Sequence, residues 1–207
     1  MKSLPFRENR WLQGLVLWLV MLWVVTAINP LYPRDWLLEN LLVFFYVGLL
    51  VVTYRYFAFS NLSYSLFTLF LSLHLIGAHY TYAEMPVGFW LQELSGSGRN
   101  HYDRLVHFSY GLLIAYPFQE ILRRKSGVKK QWSYFLAACG ILAFSAFYEI
   151  LEFITAEIVS PELGTAFLGA QGDEWDAQKD SLLAFCGAII ALVIAWWRAR
   201  PGVRPDS

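Results

Sequence analysis

Six apolar runs, each close to the length of a membrane-crossing helix, leave this chain few folds to choose from. Crossing a hydrocarbon core of roughly 30 Å takes about 20 predominantly apolar residues. The runs cover about 11–28, 36–57, 61–82, 102–122, 132–154 and 180–197. They are separated by breakers and polar loops: Asn29-Pro30-Leu31-Tyr32-Pro33, Glu84-Met85-Pro86, the Gly-rich Leu94 to Asn100 and the basic Arg123 to Lys130. The expected fold is all-α, a polytopic membrane helix bundle of six transmembrane helices forming a single domain over 1–207. Charged residues make up 15% of the chain, against roughly 25% in a soluble domain. Net charge is zero, which gives no reason to expect a nucleic-acid partner. Cys139 and Cys186 both fall inside apolar runs and read as core thiols rather than a disulfide framework.

The first run is longer than the apolar segment of a cleaved signal peptide and is followed by further spans, so a retained signal anchor is expected. Orientation follows from Lys and Arg. With six spans both termini share a side. That side holds Lys2, Arg7, Arg10, Arg55, Arg123, Arg124, Lys125, Lys129, Lys130, Arg198, Arg200 and Arg204, twelve of the sixteen basic residues. Only Arg34, Arg99, Arg104 and Lys179 lie opposite. The termini are expected in the cytoplasm of a bacterial inner membrane, with the long loops after the third and fifth spans outside.

Against this apolar background the ionisable residues gather at one depth. Asp173, Asp176 and Asp180 open the last span and, if helical, share a face at i, i+3 and i+7. Glu149 lies roughly 26 Å along the fifth span from Trp132, and Glu152 roughly 30 Å. Asp103 and His107 are four apart at the start of the fourth span, and His79 closes the third. Ionisable groups in a bilayer are costly and by default mark a function. Several carboxylates with one or two histidines suit a divalent cation. Oxygen ligands favour Mg, Mn or Ca, whereas histidine admits Zn or Fe. The expected metal ligands are His79, Asp103, His107, Glu149, Glu152, Asp173, Asp176 and Asp180. Among them Glu149, Asp176 and His107 are the candidates for acid–base chemistry on water. The competing structural reading pairs Glu149 or Glu152 with Arg104 or Lys179 and leaves the aspartates as a solvated helix entrance, where acids suit the dipole. His74, about 140° around the helix from His79, reads as a buried, hydrogen-bonded histidine, and His101 as an exposed loop histidine. There is no His-Glu-x-x-His, no repeated Glu-x-x-His, no Gly-x-Ser-x-Gly and no P-loop.

Four stretches carry a resemblance: His74 to Tyr82, Asn100 to Phe108, Tyr148 to Glu152, and Gly172 to Asp180. In that order, over nearly the whole chain, they resemble the YjdF-type bacterial inner-membrane proteins, a family defined by sequence with no assigned biochemical activity. A weaker likeness is to the VanZ-like membrane proteins, which are associated with glycopeptide resistance at the cell envelope. Asp103 to Phe108 is similar to their Asp-x-x-x-His-Phe element, Glu149 or Glu152 to a glutamate late in the next span, and Asp180 to an aspartate opening the last. The chain departs from them at His79 and in its extra aspartates, so the resemblance implies where the site is rather than its chemistry.

The expectation is an integral inner-membrane protein whose polar, metal-binding site at the outer leaflet acts on or binds an envelope lipid or lipid-linked head group. A phosphate head group would need a cation there, because the bare site is acidic. The alternatives are a small-solute transporter, which needs polar residues lining a route through the full membrane, and a non-catalytic scaffold, in which the cluster only joins helices.

Overall fold

The computed structural model describes residues 5–159 and 161–199. The terminal residues Lys2, Arg200 and Arg204, used above for orientation, lie outside them. The described chain is helical: α1 (Arg10–Thr26), α2 (Pro33–Thr53), α3 (Asn61–Tyr80), a short 3-10 turn (Tyr82–Glu84), α4 (Pro86–Ser95), α5 (Tyr102–Lys125), α6 (Lys130–Ile158), α7 (Pro161–Leu168) and α8 (Asp176–Arg198). No strand occurs among the described residues.

Local chemistry sets the helix ends. The Asn9 side chain accepts from the Leu12 amide at 3.0 Å and donates to Asn61 Oδ1 at 2.8 Å, so one residue caps α1 and ties it to the start of α3. Pro33 opens α2, where a missing N–H costs nothing. Ser60 caps α3 through the Ser63 amide. Glu120 of α5 reaches that same cap, accepting from Ser60 N at 3.1 Å and Ser63 Oγ at 2.5 Å and pairing with Arg124.

α2, α3, α6 and α8 are long and apolar enough to cross a membrane, and α1 is a shorter apolar helix. α5, at 24 residues, has the length but carries Asp103, Arg104, His107, Glu120 and the basic run at its end. Its position explains this. α5 is the central helix, packed on α3, α4, α6 and α8, so little of it has to match lipid. The contact with α8 is close. A Cβ added to Gly111 would sit 1.7 Å from the Ala184 carbonyl oxygen, and one on Gly187 2.2 Å from that of Phe108. Ala184 and Ala188 line the seam, fully buried. Small residues let two backbones approach and gain dispersion contacts where lipid gives no hydrophobic drive.

The surface is correspondingly inverted relative to a soluble protein. Leu17, Leu41, Phe45, Val52, Phe153 and Val193 are exposed, while Asp35, Glu39, Asn40, His74 and Asp180 are buried. Exposed apolar area on this scale fits a lipid-facing surface. Cys139 and Cys186, expected in the core, are exposed thiols on that surface. Two stretches expected to be loops contain helices. α4 and the 3-10 turn lie between α3 and α5. The stretch after the fifth span holds the end of α6, which continues to Ile158, and α7.

Candidate functional site

The ionisable residues collect at the end of the bundle where α2, α5 and α8 begin and α3 and α6 finish. They form three adjoining groups.

In the first, Arg99 in the loop before α5 and Arg104 in its first turn hold the aspartates around the start of α8. Arg99 pairs with Asp176, with Asp103 at 3.3 Å, and with the Ala170 and Gly169 carbonyls. Arg104 pairs with Asp180, with Asp176 at 2.7 Å and with Asp173 at 3.0 Å, and donates to the Asp176 carbonyl at 2.9 Å. The planar guanidinium presents several donors in a fixed fork, so one arginine can join three carboxylates. The helix begins at Asp176, so Asp173 precedes it; its side chain accepts from the Trp175 amide and from Lys179 Nζ at 2.6 Å. The Lys179 ammonium holds the Asp173 carboxyl down at about 2. The three aspartates are thus gathered by arginine rather than by a shared helix face. Arg104 and Lys179, considered above as partners of Glu149 or Glu152, are engaged here instead.

The second group lies deeper. His107 Nε2 is 3.5 Å from Asp103 Oδ1 and 3.5 Å from Glu149 Oε1. One ligand atom from each of His107, Glu149 and Glu152 falls within 4.8 Å of the others, and the same holds for Asp103, His107 and Asp180. Glu149 Oε1 and Asp180 Oδ1 are buried with no hydrogen-bond partner. A buried carboxylate oxygen in that state is costly unless a cation or a proton compensates it.

The third group was not anticipated. Glu39, one helix turn into α2 beyond Asp35, is 4% exposed. Its carbonyl oxygen is 2.9 Å from His74 Nε2, and the other ring nitrogen of His74 is 2.5 Å from the Tyr82 hydroxyl. Asp35 accepts from Thr81 Oγ1 at 2.5 Å. Two acids four residues apart at the start of an apolar run were a readable signal. Only the tertiary fold sets them beside His74.

His79 does not join these groups. Its Nδ1 donates to the Thr26 carbonyl at 2.9 Å, and its own carbonyl accepts from the Leu31 amide, so it fastens α3 to the end of α1. The physical reason is helix phase: of two histidines about 140° apart, only His74 faces the interior. His101 bonds the Ser97 hydroxyl at 2.6 Å in the loop before α5.

A cavity of about 490 Å³ connects the second and third groups. Glu39, His74 and Tyr82 line one side, and Asp103, His107, Tyr148 and Glu152 the other. The rest of its wall is apolar. Leu41 and Phe45 of α2 and Phe144, Phe147 and Leu151 of α6 line it while also exposed, so they form the rim of an opening between α2 and α6. α2 packs on α3 and α7 and α6 on α5, α7 and α8, so α7 bridges the two helices and its Phe167 lines the cavity beside the opening.

Residues 11–201 match the family described as "Predicted membrane protein (DUF2238)". The chain is 38% identical over 176 residues to the Escherichia coli (strain K12) "Inner membrane protein YjdF", covering 84% of each chain. No solved structure matches it. A match over nearly the whole length of an integral membrane chain, joined to the apolar exterior and buried polar interior described above, leads to one assignment: this protein belongs to the DUF2238 family of membrane proteins.

Proposed function

We propose that this is a six-span inner-membrane protein, termini in the cytoplasm, that admits an envelope lipid or lipid-linked head group from the outer leaflet into the cavity between α2 and α6. The observation that carries this reading is the cavity's composition. Its rim of exposed Leu41, Phe45, Phe147 and Leu151 matches acyl chains, and its interior of Glu39, His74, Asp103, His107 and Glu152 matches a polar head. A soluble ligand gains nothing from an apolar rim that faces lipid. The basic run Arg123 to Lys130 at the opposite end supports the orientation through the positive-inside rule. The relative's name, an inner membrane protein, supports the membrane.

Within this reading His107, Glu149 and Glu152 hold a divalent cation. The support is the convergence of their ligand atoms and the unpartnered Glu149 Oε1. A cation there would let a phosphate approach an otherwise acidic interior, and Glu149 or His107 would be placed for proton transfer. Asp176, bound by both arginines, fits a positioning role instead.

Delipidated protein is incubated with an inner-membrane lipid extract and examined by native mass spectrometry. Wild type should retain a bound lipid, and Ser145→Leu, which fills the cavity wall, should lose it without loss of the folded state. A folded wild type that retains none, or a Ser145→Leu variant that binds equally, removes the cavity reading. Metal analysis of the same samples tests the cation: stoichiometric metal should be present in wild type and absent in Glu152→Gln.

A further inference from the structure

The α2–α3 wall of the cavity carries a carboxyl group that hydrogen-bonds the Tyr148 side chain across the cavity but has no lysine or arginine paired with it among the described residues. Glu39 is 4% exposed and lines the cavity, and its Oε2 has no hydrogen-bond partner. The nearest imidazole nitrogen, His74 Nε2, is 3.8 Å from that oxygen and is already committed to the Glu39 carbonyl. A carbonyl can only accept, so Nε2 carries the hydrogen. In the neutral ring Nδ1 is then an acceptor, and the Tyr82 hydroxyl at 2.5 Å donates to it. With its hydrogen given to His74, the Tyr82 oxygen has only lone pairs left to offer. This wall therefore presents acceptors, one of them a carboxylate oxygen. Among the described residues lining the cavity there is no lysine or arginine. Arg99 and Arg104 are spent on the four aspartates.

We infer that Glu39, with Tyr82 held by His74, forms a subsite for the primary ammonium of a lipid head group. The inference rests on the reading of the cavity as a lipid site and names the class of lipid. A primary ammonium brings the missing positive charge and three N–H donors, which a carboxylate and a phenol oxygen can accept. A trimethylammonium brings the charge without the donors, and a glycerol head brings donors without the charge. The apolar rim supplies the acyl-chain contact that a free amine would forgo.

The test uses delipidated full-length protein and three synthetic lipids with identical acyl chains: phosphatidylethanolamine, phosphatidylcholine and phosphatidylglycerol. Affinities are read by native mass spectrometry and by thermal stabilisation, with soluble phosphoethanolamine as a fourth ligand. Wild type should bind phosphatidylethanolamine about tenfold more tightly than phosphatidylcholine, the scale of one charge-assisted hydrogen bond. Soluble phosphoethanolamine at equal concentration should not bind. Glu39→Gln should reduce the preference to near unity, weakening phosphatidylethanolamine more than phosphatidylcholine. Glu39→Asp, which keeps the charge, should retain part of the preference, and Tyr82→Phe should weaken it. Equal binding of all three lipids, a preference for phosphatidylglycerol, or a preference that survives in Glu39→Gln overturns the ammonium subsite and leaves the lipid cavity standing. Soluble phosphoethanolamine binding as well as the lipid overturns the lipid source. A wild type that binds no lipid removes the cavity reading, and the subsite with it.

Discussion

Arg104→Ala is the most informative perturbation of the arginine–aspartate group. Arg104 contacts three aspartates, and Asp180 depends on it most. Asp180 is 1% exposed; its Oδ1 already lacks a partner, and Oδ2 pairs with Arg104. Without the guanidinium, four carboxylates (Asp103, Asp173, Asp176, Asp180) remain with Arg99 and Lys179. Lys179 pairs with Asp173 and Arg99 with Asp103, Asp173 and Asp176, so neither cation pairs with Asp180. Removing one partner of a buried ion pair costs about 3–5 kcal/mol, because the other charge is left uncompensated. Arg104→Lys should recover only part of this, since an ammonium cannot reproduce the fork that spans Asp173, Asp176 and Asp180. Asp180→Asn in the Arg104→Ala background should recover about half or more, because it removes the stranded charge. The assay is thermal or denaturant unfolding in a fixed detergent, run as a double-mutant cycle over the four proteins. A loss below about 1 kcal/mol in Arg104→Ala, or additive effects in the double mutant, would refute the reasoning.

Two further outcomes follow from the same geometry. Gly111→Ala should lower the unfolding temperature and the yield of folded protein, because its Cβ would meet the Ala184 carbonyl, whereas Gly48→Ala, with nothing within 4 Å, should be close to neutral in the same assay. The folded value of Asp173, about 2, lies below its ordinary 3.8, so its contribution to stability is present above about pH 4 and is lost as the pH falls from there towards 2; Lys179→Met should flatten that part of the profile, and an unchanged profile would remove the Lys179 contact as its cause.

The histidines show most clearly why part of the site was readable and part was not. Their spacing on the third span requires that His74 and His79 point different ways, but spacing does not say which faces inward. That depended on α1, whose end offers the Thr26 carbonyl to His79, and on α2, whose Glu39 carbonyl takes His74. Asp103, His107, Glu149 and Glu152 were legible together because i+3 and i+4 spacing and helix rise bring them to one face and one level. Asp173, Asp176 and Asp180 were legible as a group, but the force that gathers them comes from Arg99 and Arg104, remote in sequence. Asp35 and Glu39 are harder to read, because acids at the start of a long apolar run look like a helix entrance until their neighbours are known.

By itself the sequence determined that the chain is a bundle of helices with lipid-facing surfaces. Hydrocarbon gives the backbone no hydrogen-bond partner, and long apolar runs then have no alternative to helix. It also determined which end of the bundle is polar. Only tertiary structure decided that α5 is the central helix, that two arginines are consumed by aspartates, and that an opening remains between α2 and α6. Those outcomes depend on which helix faces meet. Apolar periodicity fixes this poorly in a membrane, where the outside is as apolar as the core and small residues such as Gly111 and Gly187 set the contact.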